Sequence, residues 1–479
     1  MQEETLKEKV DNLKQLFSES PDFAVRELKT GGKDACLVYF EGATDKQLLV
    51  VGVINPLVEF RSSEDKDIIE ILSKEVIKNT QVMATEDQSE YIQNILDGFS
   101  VLLIEGQSQV LQIKTDGWTG RTPIEPPTSA VIKGPREGFV EDLGVNLSLI
   151  RKRLRTPDLV AKRLLIGKYT TTKVCICYIN SIADPKIVSQ IEEKLKQIKV
   201  DGILDSFYIQ SYLEQHARSI FRQCGAAEKP DIIAGKMLEG RIAIIVDGSP
   251  LVLTLPFVLI EDFQNSNDYY AKPIRATFLR WTRLFSTIVA ILLPGAALAV
   301  VLFHFKLFPI KFLITVMNTT QGVPFAPMLE ILFIILLFEI LYESSLRMPR
   351  YLGLALSVVG ALILGDTAVK AGLVSPPAIM IVALTGVMLY TMPDQQQQLS
   401  FLRLIFTIVG GTLGLFGIIV GSVFLIAYLT TLDSYGAPYL APYAPFIKND
   451  LRDALTHSPI PTKTMRPQSI PNINKRRQR

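Results

Sequence analysis

The residues that could do chemistry are few and scattered. His216, His304 and His457 stand too far apart in sequence for a zinc-protease helix or a hydrolase triad signal. Cys175 and Cys177 lie two apart in a strand-like run, so both point to one side. That spacing suits neither a redox pair nor a zinc knuckle. With Cys36 and Cys224 they read as buried, reduced thiols of a cytoplasmic domain. Gly31-Gly32-Lys33-Asp34 lacks the first glycine of a phosphate loop and ends in Asp instead of Ser or Thr. No nucleophile elbow or dinucleotide fingerprint occurs, so the chain does not read as an enzyme and no cofactor or metal is expected. The charges that stand out sit in apolar surroundings. Glu339 and Glu343 are four apart on one helical face, and Arg347 follows Glu343 by four. A charge at bilayer depth costs about 2.5–3.5 kcal/mol on insertion scales, so it pairs, lines water or serves function. An acidic lining for cations is one reading, and a Glu343–Arg347 pair at the interface is another. Glu330, Asp366 and Lys370 join them as polar pore candidates.

The elements that must position these groups follow from charge segregation. From Leu284 to Ile447 only 12 of 164 residues are charged, against 86 of the other 315. A water-facing domain is therefore followed by a lipid-facing one. Leu284–Phe303, Leu373–Met392 and Leu404–Leu429 are uncharged runs of 20, 20 and 26 residues, and a bilayer core needs roughly 20. Met328–Leu346 and Leu352–Gly365 are weaker segments: spans, oblique helices or re-entrant pieces. Lys272, Arg275, Arg280 and Arg283 precede the first span, and the tail from Lys448 is basic. Both ends therefore prefer the cytoplasm, which demands an even number of crossings from five apolar segments. The amino terminus does not read as a signal peptide. Gly410, Gly414, Gly417 and Gly421 follow helical spacing and predict one smooth packing face, with Gly411 off it. Gly353, Ser357, Ala361 and Gly365 are a candidate partner stripe.

The fold class expected is an α/β soluble amino-terminal region of two subdomains, then an α-helical polytopic membrane domain. Residues 1–113 alternate helix and strand signals. Leu6, Val10, Leu13 and Phe17 make a helical stripe, and Ala35–Phe40, Leu48–Ile54, Phe99–Glu105 and Val110–Lys114 read as strands. Ser63–Lys78 and Tyr91–Leu96 read as helices. Residues 114–135 are a Pro/Gly-rich connector. In 136–270, Phe139, Leu143, Leu147 and Ile150 stripe a helix ending in Arg151–Arg155. That basic end suits a helix dipole, or contact with anionic lipid or an acidic partner. Val174–Ile179, Asp184–Ile198 and Ile203–Ile209 read as strand, helix, strand in a βαβ-type pattern. Ile242–Val246 and Leu251–Leu255 read as a hairpin turned at Asp247–Pro250. The membrane domain takes 271–432, and 433–479 is a basic, Pro-rich tail.

Long motifs then resemble one family. Ile124–Arg155 reads IEPPTSAVIKGPREGFVEDLGVNLSLIRKRLR, and Glu239–Tyr270 reads EGRIAIIVDGSPLVLTLPFVLIEDFQNSNDYY. VPFAPMLE (Val323–Glu330), LGLALSVVGALILGDTAVKAGLVS (Leu352–Ser375) and YGAPYLAPYAP (Tyr435–Pro445) follow in order. Together they resemble the A subunit of GerA-family spore germination receptors over roughly residues 120–470. The resemblance implies a multi-pass protein of the spore inner membrane, its soluble domain in the spore core. It implies work with a transporter-like B subunit, a lipoprotein C subunit and further copies of itself, in contact with lipid and without nucleic acid. It implies transduction of nutrient sensing into ion release through an oligomeric cation conduit. The motifs outside the membrane mark Gly134, Pro135, Arg136, Glu137, Asp142, Arg151, Arg153, Asp247, Ser249 and Pro250 as coupling residues. One departure is Tyr342, where the family commonly has a basic residue, so a charge pair is lost or rebuilt. An accessory germination paralogue and a stand-alone transporter are the alternative functions. A transporter would show matched halves, and the sequence shows no internal repeat.

Overall fold

A computed structural model describes residues 5–61, 67–117, 133–307, 309–347 and 363–477. The chain divides into two units: 1–258 with 433–437 and 460–479, and 259–432 with 438–459. Residues 433–479, expected as a single tail, are thus shared between them.

Unit 1 begins with α1 (Leu6–Leu16), β1 (Phe23–Thr30) and β2 (Lys33–Phe40). Next come a wide helix (Leu48–Ile54) running into α2 (Asn55–Glu59), α3 (Ile68–Ile71) with a second wide turn (Leu72–Val76), β3 (Val82–Thr85), α4 (Gln88–Leu96), β4 (Ser100–Ile104) and β5 (Val110–Ile113). The second half runs α5 (Leu143–Arg153), β6 (Leu159–Ile166), β7 (Thr172–Ile179), α6 (Pro185–Gln197), α7 (Ser206–Leu213), β8 (Gly225–Ala227), α8 (Pro230–Met237), β9 (Ile242–Val246) and β10 (Val252–Leu255). The strand orders are β1-β2-β4-β5-β3 and β6-β7-β9-β10-β8. Adding five to each number of the first sheet gives the second, so the two subdomains repeat one topology. The sequence carries a faint trace of this. Cys36, Tyr39 and Asp45 share their spacing with Cys175, Tyr178 and Asp184, and the turn Glu105-Gly106 corresponds to Asp247-Gly248. Both turn glycines take positive φ, 73° and 88°, which glycine adopts without a Cβ clash. The expectation of no internal repeat is therefore corrected for the soluble unit.

Each sheet is buried on both faces by helices. In the second, Val174 and Ile176 point to the α6–α7 side while Cys175 and Cys177 point to α5 and α8, the period of two that a strand imposes. All ladder pairs are antiparallel, which corrects the βαβ reading. Two strand expectations also fail. Leu48–Ile54 is helical because Asp45 accepts the N–H groups of Gln47 and Leu48 at 2.8 and 3.1 Å, as Asp184 caps α6. Leu49, Val53 and Leu57 then form its buried face. Ile203–Ile209 turns helical after Asp205, which accepts the Phe207 N–H at 3.1 Å.

The carboxyl-terminal segments close unit 1. Tyr435 enters the second core and its hydroxyl donates to Leu213 O at 2.9 Å. Ile473 N–H donates to Ile182 O at 3.0 Å, Arg466 Nε donates to Leu238 O at 2.7 Å, and Ile470 is buried.

Unit 2 is helical: α9 (Ser266–Tyr269), α10 (Pro273–Phe303), α11 (Ile310–Thr320), α12 (Pro327–Arg347), α13 (Ala368–Lys370), α14 (Pro376–Leu389) and α15 (Gln396–Thr431). Among the described residues, two helical stretches are long and apolar enough to cross a bilayer, Pro273–Phe303 and Pro393–Thr431. The expected twenty-residue run Leu373–Met392 yields a helix of only 14 residues, about 21 Å long against a core of roughly 30 Å. Proline at its start and turns after Leu389 shorten it. Most of Leu352–Gly365 lies outside the described residues, with Gly353, Ser357 and Ala361. Gly365 is described, and nothing lies within 4 Å of a Cβ placed on it.

The second long stretch is not straight. Gly414 has φ 64° and ψ −156°, a region essentially reserved for glycine. A Cβ on Gly421 would lie 3.3 Å from Phe406 Cε1. Fifteen positions apart on a straight helix, the two would be separated by about 22 Å. The chain therefore doubles back at Gly414, and α15 is a helical hairpin.

Candidate functional site

The expected residues lie in separate parts of the chain. They form two clusters in unit 1 and unit 2, and a third cluster went unforeseen.

The first surrounds α5. Its N-cap is Asp142, whose side chain accepts the Val145 N–H at 2.8 Å. Asp247, from the β9–β10 turn, accepts the Leu143 N–H at 3.1 Å, and Gly248 N–H donates to Glu141 O at 2.7 Å. Two carboxylates thus face the positive end of one helix, so the motifs carrying Asp142 and Asp247 meet. Ser249 Oγ donates to Asp205 Oδ1 at 2.6 Å, with Pro250 next in the turn. Burial pushes the Asp205 carboxyl up, but the Ser249 and backbone hydrogen bonds outweigh it and hold the group below its ordinary range. At the other end of α5 the basic run is consumed internally. Arg151 Nε and Nη2 donate to Asp22 at 2.6 and 2.7 Å, both side chains being under 10% exposed. The guanidinium sits 4.3 Å over the Phe40 ring. Lys152 and Arg153 both pair with Glu137 at 2.7 and 2.9 Å, and Arg155 pairs with Asp97 at 2.8 Å. The cations of this run bind acids of the same unit, and the pairs with Asp22 and Asp97 tie α5 to the first subdomain. Gly134 has φ 122°, Pro135 and Arg136 follow it into this segment, and Arg136 also has a partner.

The second cluster is in the apolar unit. Glu339 pairs with Arg403 Nη2 at 2.8 Å and accepts the Ser400 hydroxyl. Arg403 is 2% exposed, and its Nε and Nη1 have no partner among the described residues. Sequence reasoning missed Arg403, although a lone arginine opening a long apolar run was the available signal. Tyr342 does not replace a cation: its hydroxyl donates to Gln396 Oε1 at 2.9 Å. Glu343 and Arg347 pair with each other at 2.5 Å, both exposed, as do Asp366 and Lys370 at 2.7 Å. Glu330 is buried, and its Oε1 accepts the Ser375 N–H at 2.5 Å. Glu339, Glu343 and Asp366 are therefore each paired with a cation, while Glu330 is held by a backbone N–H.

The glycines have different partners. A Cβ on Gly410 would meet Gly295 O of α10 at 2.3 Å, and one on Gly411 would meet Met328 Sδ of α12 at 2.9 Å. Gly414 forms the bend, and a Cβ on Gly417 would meet Val409 Cγ1 at 2.9 Å across the hairpin. The single smooth face is thus replaced by one crossing on α10, one contact on α12 and a self-packed hairpin.

The third cluster centres on Arg280, which is fully buried. It donates to Asp268 Oδ2 at 3.0 Å, to Asp453 Oδ1 at 3.1 Å and to Ala454 O at 2.6 Å. Arg283 binds Asp268 at 2.8 and 2.9 Å, and His457 N–H donates to Thr277 Oγ1 at 2.9 Å. Burial pushes the Asp268 carboxyl up, but the hydrogen bonds and charge of Arg283, with Arg280, hold it below its ordinary range. The sequence offered these arginines only as orientation signals. Among the described residues no group of three His, Cys, Asp or Glu side chains could hold a metal ion.

The fold and its clusters define a protein of two parts, a duplicated α/β unit and an apolar helical unit with paired internal charges. The family model for the Bacillus/Clostridium GerA spore germination protein matches residues 11–469. Spore germination protein KA of Bacillus subtilis (strain 168) is 33% identical over 99% of this chain and 88% of its own length. Uncharacterized membrane protein YfkQ of the same organism is 34% identical over 96% and 90%. Spore germination protein GerLA of Bacillus cereus is 31% identical over 94% and 92%. Among solved structures, the N-terminal domain of the A subunit of the Bacillus megaterium spore germinant receptor GerK3 is 30% identical, with a TM-score of 0.42 over 52% of this chain and 94% of that one. The chain belongs to the GerA family of spore germination proteins.

Proposed function

We propose that this chain is the A subunit of a nutrient germinant receptor of the spore inner membrane. It transduces nutrient sensing into ion release, and copies of it assemble a cation conduit. Its partners are a transporter-like B subunit and a lipoprotein C subunit. The observation that carries the reading is the family match from residue 11 to 469, which spans both units. Connectivity supports a multi-pass topology. Residues 1–258 and 460–479 belong to one water-facing unit, so the chain enters and leaves the bilayer on one side and crosses it an even number of times. The basic residues before α10 favour the cytoplasmic side, the spore core. Unit 1 then acts as the coupling module through the α5 junction. The accessory-paralogue reading draws on the similarity to YfkQ, whose name carries no germination role.

Spores lacking this chain test the proposal. They are expected to lose potassium release toward at least one nutrient and to contain less of the B and C subunits. Unchanged release across a nutrient panel, with unchanged partner levels, would leave the accessory role.

A further inference from the structure

Unit 2 contains a cavity of about 420 Å³ among α10, α11, α12 and α14, within the roughly 300–1,000 Å³ of small-molecule sites. Its walls are apolar, with Leu298, Ala378 and Ile381 among them, and its polar side chains are Thr320, Ser375 and Glu330. Glu330 is 3% exposed. Its one hydrogen-bond donor among the described residues is the Ser375 N–H, at 2.5 Å. A carboxylate offers about four acceptor sites, so capacity remains on a group whose burial in apolar surroundings is costly without a partner. Among the described residues, no Lys, Arg or His lines the cavity. A cation from outside the chain would complete the hydrogen bonding of this carboxylate.

We propose that this cavity binds a small organic monocation, a primary ammonium on a short apolar body, with Glu330 as the acceptor of its N–H groups. A free amino acid fits worse, because its own carboxylate would find no cationic side chain there. The walls would hold the apolar body, and the end of α12 that carries Glu330 would be fixed against the first turn of α14. The test reads binding to the chain and not potassium release, so its failure is distinguishable from failure of the conduit reading.

The probe is benzylammonium chloride, titrated into the whole chain in detergent micelles and followed by saturation-transfer NMR. Toluene and phenylalanine serve as comparisons. Saturable benzylammonium binding is expected, at least about tenfold tighter than either comparison. Glu330→Gln should weaken benzylammonium by about tenfold or more while leaving toluene unchanged, and Ala378→Phe should abolish binding by filling the space. Toluene binding as tightly as benzylammonium would make the cavity a plain apolar void. Benzylammonium binding that survives Glu330→Gln, or no saturable binding at all, would also overturn the proposal. Should Glu330→Gln fail to fold, Ala378→Phe and the three-probe comparison on the unaltered chain still decide.

Discussion

Arg151, Arg280 and Arg403 are each buried against carboxylates, and each partnership is open to a single substitution. Asp22→Ala leaves Arg151 under Phe40 with no anion. Removing one member of a buried ion pair costs about 3–5 kcal/mol, so thermal unfolding of the whole chain should show a large fall. An unchanged melting temperature would mean that the α5 junction does not hold the subdomains together. Glu339→Gln similarly strands Arg403 in apolar surroundings. If Glu339 lines the permeation path, germinant-triggered potassium release should slow in spores that retain normal receptor levels. Unchanged release would confine Glu339 to a structural pairing. Asp268 gives a pH dependence of known sign. Its folded pKa is depressed, so its contribution is complete above the unfolded value and is lost as pH falls through the lower folded value. The window lies below about pH 4, and Asp268→Asn should flatten the acid limb of stability there. An identical limb in the variant would rule out the Arg280–Asp268–Arg283 cluster as its source.

The α15 hairpin makes an unequal prediction for glycines that look alike in sequence. Gly410→Ala would press a methyl group onto backbone at 2.3 Å, and backbone cannot move cheaply. Gly414→Ala must enter a backbone region essentially reserved for glycine, at about 1–3 kcal/mol, besides meeting Phe303 and His304 at 3.1 Å. Gly411→Ala meets Met328 Sδ at 2.9 Å, a flexible side chain that can yield. Gly421→Ala meets only the edge of Phe406 at 3.3 Å. Protein levels in the membrane should therefore fall most for Gly410 and Gly414, less for Gly411 and least for Gly421. Equal losses at all four would restore the picture of one smooth packing face.

For the whole molecule, 460–479 groups with unit 1, and the proposed topology therefore puts the tail on the same side as that unit. A reporter fused after Arg479 should be active in the cytoplasm when it is a fluorescent protein and inactive when it is alkaline phosphatase. Phosphatase activity would require an odd number of crossings and would break the assignment of the tail to unit 1. The duplication in unit 1 adds that Asp45 and Asp184 start equivalent helices, so Asp45→Ala and Asp184→Ala should each cost about 1 kcal/mol as lost N-caps. A loss at only one of them would show that the two subdomains differ in more than sequence.

The sequence by itself determined the partition into a charge-rich and a charge-poor part, because charge exclusion from apolar surroundings is a one-dimensional signal. It also determined most strands and helices, the β9–β10 hairpin, the buried thiols and the family, whose motifs are long and ordered. Local periodicity could not decide Leu48–Ile54 or Ile203–Ile209, because a short apolar run fits either a buried strand or a helix and the capping aspartate tips the balance. Only the tertiary structure decided which charge meets which. Arg151 meets Asp22 across 129 positions, and Arg403 meets Glu339 across 64. Such pairs depend on where the backbone brings distant segments, and no spacing rule records that. The bend at Gly414 is of the same kind. A glycine in an apolar helix is compatible with a straight stripe or a reversal, and the contact of Phe406 with Gly421 is what distinguishes them.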